Sequence, residues 1–105
     1  MKLYHTTYAA EAILRDGFRD GEGYYLTAHL WSGVWLADRP LDINEGADGD
    51  TVLCLDIPEE AVRPYEWIKD FKGYREFLVP ASLVNKWGPI TIEDRFEYWE
   101  PPSPT

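Results

Sequence analysis

Apolar residues along this chain come in short runs cut by glycines, prolines and polar pairs, a pattern of several short strands around one helix near the front. Lys2 to His5 reads as a strand that stops at Thr6 or Thr7, either of which can cap the next element. From Tyr8 to Asp16, the residues Tyr8, Ala9, Ala12 and Ile13 fall at helical spacing, Glu11 sits in the first turn, and Gly17 supplies a left-handed stop with Phe18 packing back. Asp20 to Gly23 reads as a turn, Tyr24 to Thr27 as a short strand, and Ala28 to Ser32 fits either state. Gly33 then opens the apolar strand VWLA, which ends at Asp38 because Pro40 lacks the donor a central strand needs. Asp42 to Asp50 is an acidic loop.

Thr51 to Ile57 is apolar on both faces, as a central strand should be. Pro58, Glu59 and Glu60 suit the first turn of a helix that Pro64 keeps to one or two turns. Tyr65 to Lys72 is a surface segment with Trp67 and Phe71 as core anchors. Glu76 to Val79 is the next strand, PASLVN a helical turn closed by Asn85, and Pro89 to Tyr98 a final, half-exposed strand. The loops are too short for a helix between every pair of strands, so the expected class is α+β with a mixed or antiparallel sheet. Residues 1–100 form a single domain and 101–105 a flexible tail.

Composition narrows the function classes. Aromatic residues make up 15% of the 105, enough to close a core or line a stacking pocket, and they exclude a disordered chain. A net charge of −9 repels phosphate backbones, which disfavours nucleic acid and favours basic protein partners. Cys54 lies in the apolar run TVLCLDI and reads as an inert core thiol of a reducing compartment. The start of the chain lacks the regions of a signal peptide and no run is long enough to span a bilayer, so a soluble, cytoplasmic protein without membrane contact is expected. His29 has no partner at metal spacing, and Asp42, Glu45, Asp48 and Asp50 do not fit a calcium loop, so no metal is expected.

Three strands each carry one chemically distinctive residue. Glu76 opens the apolar run FLV, where a carboxylate is costly to desolvate unless a polar group meets it. His5 ends the first strand and Trp35 interrupts the strand led by Gly33. Each has a plain alternative: a strand-end histidine bonded to the backbone, a core tryptophan, and a carboxylate paired with Arg75 or Lys72.

Together they resemble the ADP-ribosyltransferase-like fold, in the branch with a His, aromatic, Glu triad that includes the poly(ADP-ribose) polymerases and diphtheria-type toxins. LYHTTYAAEAILRDGF is similar to that family's opening strand and helix, GVWLAD to its GIYFAD strand, and YREFLV to the YNEYIV strand that carries its catalytic glutamate. The three occur in the family's order and cover about a third of the chain. The resemblance implies a compact split β-sheet and NAD as substrate, with Glu76 catalytic and His5, Thr6, Trp35 and Tyr24 binding the dinucleotide. His5 would bond the adenosine-side ribose, the Thr6 backbone the nicotinamide amide, and Trp35 would stack on the nicotinamide ring. Glu76 would bind the 2′-hydroxyl of the nicotinamide ribose and stabilise the cation formed as the glycosidic bond breaks.

The chain departs from that pattern at two places. Trp35 stands where the polymerases use tyrosine. Beyond Asp38, RPLDINEG replaces the family's helix with its serine and second stacking tyrosine, and Ile43 falls near the serine's offset. The second face of the ring is then left to Tyr24, Tyr25 or Trp67, and Arg39 or Arg19 is available to the pyrophosphate. Polymer growth is disfavoured, and the expected activity is mono-ADP-ribosylation of a macromolecular acceptor, a protein, or NAD hydrolysis. Two alternatives stay open: an acidic interaction domain without chemistry on the same fold, and an RNA 2′-phosphotransferase, which the acidic balance disfavours.

Overall fold

The structure is a computed structural model that describes residues 1–24, 28–41, 43–45, 47–68 and 73–96. Six strands form an antiparallel sheet: β1 (Lys2–Thr7), β2 (Gly21–Gly23), β3 (Trp31–Ala37), β4 (Thr51–Asp56), β5 (Glu76–Val79) and β6 (Thr91–Arg95). Their order is β2-β3-β1-β4-β6, with β5 paired to β3. Helix α1 (Ala10–Asp16) is joined by the single turns α2 (Glu59–Val62) and α3 (Ala81–Val84), and by 3-10 turns at Ile43–Glu45 and Arg63–Tyr65. The class is α+β. Among the described residues no helix is long and apolar enough to cross a membrane.

Strand alternation divides the sheet into two faces. Leu3, Val34, Leu36, Leu53, Leu55, Phe77 and Val79 point to one side, where Ala10 and Ile13 of α1 pack with Phe18, Ile57, Val62 and Val84. The other side carries Val52, Cys54, Ala37 and Leu78, all buried outside that cluster. As its two apolar faces require, β4 is buried from Thr51 to Leu55, flanked by β1 and β6. Burial pushes the Cys54 thiol pKa up, with Glu93 adding to the effect, so the thiol stays protonated.

Several expected boundaries shift, each for a local reason. Helix α1 begins at Ala10 rather than Tyr8, because the Thr7 hydroxyl accepts the Ala9 N–H at 2.9 Å and holds the chain in a turn ahead of it. Its buried face is therefore Ala10 and Ile13, and Tyr8 is left 54% exposed. The expected turn around Gly21 to Gly23 is instead strand β2, paired with Trp31 to Gly33, and so β3 starts two residues before its glycine. Pairing overrides the weak strand propensity of glycine there. Trp67, expected as a core anchor, is half-buried outside the main core. The final strand, at the edge of the sheet beside β4, is exposed along its whole length rather than on one face, and the register slips between Val52 and Leu53, leaving Glu93 without an opposite residue. The expected strand from Tyr24 to Thr27, the anchor Phe71, Lys72, the end of the last strand at Tyr98 and the tail lie outside the described residues.

The acidic loop closes tightly over the end of β1. A Cβ built on Gly49 would sit 2.3 Å from the Thr7 backbone nitrogen, so only glycine fits there. The same closure brings the Leu41 carbonyl onto the Thr6 hydroxyl at 2.8 Å.

Candidate functional site

The site forms where two neighbouring strands part. The register of β1 and β3 has one pair, Tyr4 opposite Ala37. A continued ladder would set Thr6 opposite Trp35. Instead the imidazole of His5 reaches across, and its Nδ1 lies 2.7 Å from the Trp35 carbonyl oxygen. A carbonyl only accepts, so Nδ1 carries the proton, and in the neutral ring Nε2 is left as an acceptor. Removal of water from around the ring lowers the His5 pKa, and the bond to Trp35 offsets this in part.

That depressed pKa predicts a pH effect. An unfolded chain takes up a proton on His5 near the ordinary value of 6.5, whereas the folded chain does so only at lower pH. The stabilisation is thus complete above 6.5 and is lost as pH falls from there through the folded value. Below 6.5 the melting temperature of the wild type should therefore drop more steeply than that of His5→Gln. Parallel melting curves in that range would show that the ring titrates as a free one.

His5 lies on the sheet face of Leu3 and Leu53, and its ring meets Phe18 edge to face at 5.3 Å. There it lines a cleft of about 470 Å³ together with Thr7, Ile13, Arg15, Arg19 and Trp35. The cleft wall from Gly17 to Arg19, and Asp20 beside it, is fixed by residues far along the chain. Asn85, just past α3, accepts the Phe18 N–H at 2.8 Å and donates to the Phe18 carbonyl at 2.9 Å. Asp20 in return accepts the Ala81 N–H that opens α3, at 2.8 Å. Both residues satisfy backbone groups that would otherwise be orphaned at a loop and a helix end.

Trp35 and Glu76 share the opposite face of the sheet. In the β3/β5 ladder Trp35 pairs with Leu78 and Ala37 with Glu76, so indole and carboxylate are diagonal neighbours on one side. Glu76 is half-buried and does not line the His5 cleft. The expected convergence is thus divided: Trp35 with Glu76 on one face, His5 in the cleft on the other, and Trp35 reaching both through its backbone and its place in the cleft lining. Nor does Arg75 serve as the partner of Glu76. Its Nε and Nη2 both donate to Glu66 and its Nη1 donates to Glu59.

Tryptophans build up the Glu76 side. The Trp67 ring meets Trp31 at 5.1 Å and Trp35 at 5.2 Å between centroids, both near perpendicular, and His29 extends the row on Trp31 at 4.8 Å. Trp35 and Trp67, with planes 77° apart, make a corner suited to a flat, electron-poor ring. Of the other candidate residues, Tyr24 follows β2, is 59% exposed and lies outside the cleft lining, while Tyr25 is outside the described residues. The Thr6 hydroxyl is committed to Leu41, but by strand alternation its peptide groups face β3 at the parting. Arg19 lines the cleft, whereas Arg39 is bound by Glu45 and lies over the Tyr74 ring at 4.8 Å.

Sequence reasoning missed the roles of Asp38 and Asn85. Asp38 accepts the Arg75 N–H through its side chain at 3.0 Å and donates its own N–H to the Arg75 carbonyl at 3.0 Å, which ties the entrance of β5 to the exit of β3. Its position directly after β3 was the only local signal. Comparison of this chain with protein-family models, with curated proteins and with solved structures finds no match.

Proposed function

We propose that this protein is a mono-ADP-ribosyltransferase with an ADP-ribosyltransferase-like split sheet, which cleaves NAD between nicotinamide and ribose. The observation that carries the reading is the seam between β1 and β3. There His5 grips the carbonyl of Trp35, while Trp35 and Glu76 stand side by side on the adjoining strands. NAD would span that seam, its adenosine end in the cleft beside His5 and Arg19 and its nicotinamide in the corner of Trp35 and Trp67.

The chemistry asks for little more. Breaking the C1′–N bond sends the electron pair to the nicotinamide nitrogen, so a cationic ring leaves as a neutral molecule and no acid is needed. Positive charge appears instead on the ribose, as in glycoside hydrolysis, and a carboxylate beside it stabilises that state. Glu76 has this role, in contact with the 2′-hydroxyl. Neutral His5, with Nε2 as an acceptor, takes a ribose hydroxyl of the adenosine half. An acceptor side chain of a protein, or water, then attacks C1′ and gives up its proton.

The reading is tested with NAD labelled in its adenosine half, incubated with the protein and a cell lysate. Released nicotinamide and label on lysate proteins are expected; label without acceptor would indicate hydrolysis. In the same experiment NAD at about 100 times its dissociation constant should stabilise the fold by about 2.7 kcal/mol. If NAD neither reacts nor raises the melting temperature, the proposal fails and a non-catalytic acidic domain takes its place.

A further inference from the structure

Two acids from separate elements converge on the residue that precedes Glu76. Glu66 receives the Arg75 guanidinium as a fork, at 3.1 Å from Nε and 2.8 Å from Nη2, and Glu59 of α2 takes Nη1. Arg75 and Phe77 share a side of β5, with the guanidinium 5.2 Å from the Phe77 ring centroid, whereas Glu76 points to the other side. The arginine charge is therefore directed away from the Glu76 carboxylate. Glu66 stands opposite Phe77 in an isolated bridge, and the next residue, Trp67, donates its N–H to the Glu76 carbonyl at 2.8 Å. The fork thus holds the segment whose next ring, Trp67, meets Trp35.

We infer that Arg75 is a positioning residue: its guanidinium straps the Glu66–Trp67 segment to the entrance of β5, which sets the Trp67 ring and the Glu76 carboxylate in fixed relation beside Trp35. The inference rests on the proposed function for its catalytic consequence, and on geometry alone for its structural one. A planar fork onto a carboxylate is directional as well as strong, and with a second acid it forms a network, which holds better than an isolated surface pair. Lysine at this position would keep the charge and lose the fork. A carboxylate displaced by an ångström or so from a developing cation gives up a large part of its effect.

The test uses the full chain with Arg75→Met, Arg75→Lys and, should the first fail to fold, Glu66→Gln. Arg95→Met, which removes an exposed pair with Glu11, is the control. Two signals are read well below each variant's melting temperature: kcat and KM for nicotinamide release, and the near-ultraviolet circular dichroism of the coupled tryptophans. Arg75→Met is expected to lose roughly tenfold in kcat with a smaller change in KM, and to alter the tryptophan signal. Arg75→Lys should fall between it and the wild type, and the control should match the wild type. Unchanged kcat and tryptophan signal in Arg75→Met and Glu66→Gln would overturn the strap. Should the wild type release no nicotinamide, the proposed activity is what fails, and the tryptophan signal by itself decides for or against the strap.

Discussion

Glu76→Gln is expected to slow nicotinamide release from NAD by about 10²- to 10³-fold, the scale on which removing one group aimed at developing charge acts. The change keeps the size of the side chain and its capacity to bond a ribose hydroxyl. It removes the negative charge, whose interaction with the ribose, on the proposed reading, would be strongest when that ribose is a cation. The loss should therefore fall on kcat, with KM changed by no more than a few-fold. Because Glu76 is half-buried at the first position of β5, its backbone paired with Ala37, the strand should survive the substitution. Steady-state kinetics with a thermal melt on the same sample check both parts. Equal rates in wild type and variant would remove Glu76 from the chemistry.

Phe77→Ala, one residue along, is expected to act on the fold instead and to cost about 3–5 kcal/mol. Phe77 heads the fully buried side chains, is 0% exposed, and pairs with Leu36 in the ladder that also orients Trp35. Truncation removes the ring from the core cluster and strips the surface over which the Arg75 guanidinium lies. Natural domains are stable by roughly 5–15 kcal/mol, so this single change consumes about a fifth of the margin or more. Melting should fall by more than about 12 °C in a domain of this size. Urea unfolding of Phe77→Ala beside Leu14→Ala, whose side chain is 42% exposed, measures the contrast. A shift no larger than that of the surface control would mean that the core repacks around the gap.

Adjacent positions with opposite consequences show what could be read from sequence. The apolar run after Glu76 gave β5 its bounds at Glu76 and Val79, but with Phe77, Leu78 and Val79 all apolar it did not show which of them face the main core. The apolar run from Thr51 announced a strand covered on both sides, and Gly17, with φ of 88°, ends α1 as its place after Asp16 implied. What stayed hidden was whatever depends on a partner far along the chain. Gly21 to Gly23 becomes a strand because Trp31 to Gly33 lies beside it, and no local propensity foretells that. The seam between β1 and β3 rests on the ladder giving way after Tyr4, and the side to which His5 turns is set by that register. Trp67 looked like core by composition, yet it stands against two other tryptophans at the edge of the sheet. Asn85 looked like a helix stop, and its local sequence held no hint that it would bond a backbone 67 residues earlier.

That last bond has a bearing on how the protein comes into being. Phe18 and Arg19 leave the ribosome well before the amide that anchors their loop, which lies 67 residues beyond Phe18. The strand bearing Glu76 likewise follows them. A growing polypeptide accordingly carries the His5 cleft without this brace until residue 85 has been made, and only then can the loop from Gly17 to Arg19 be tied down.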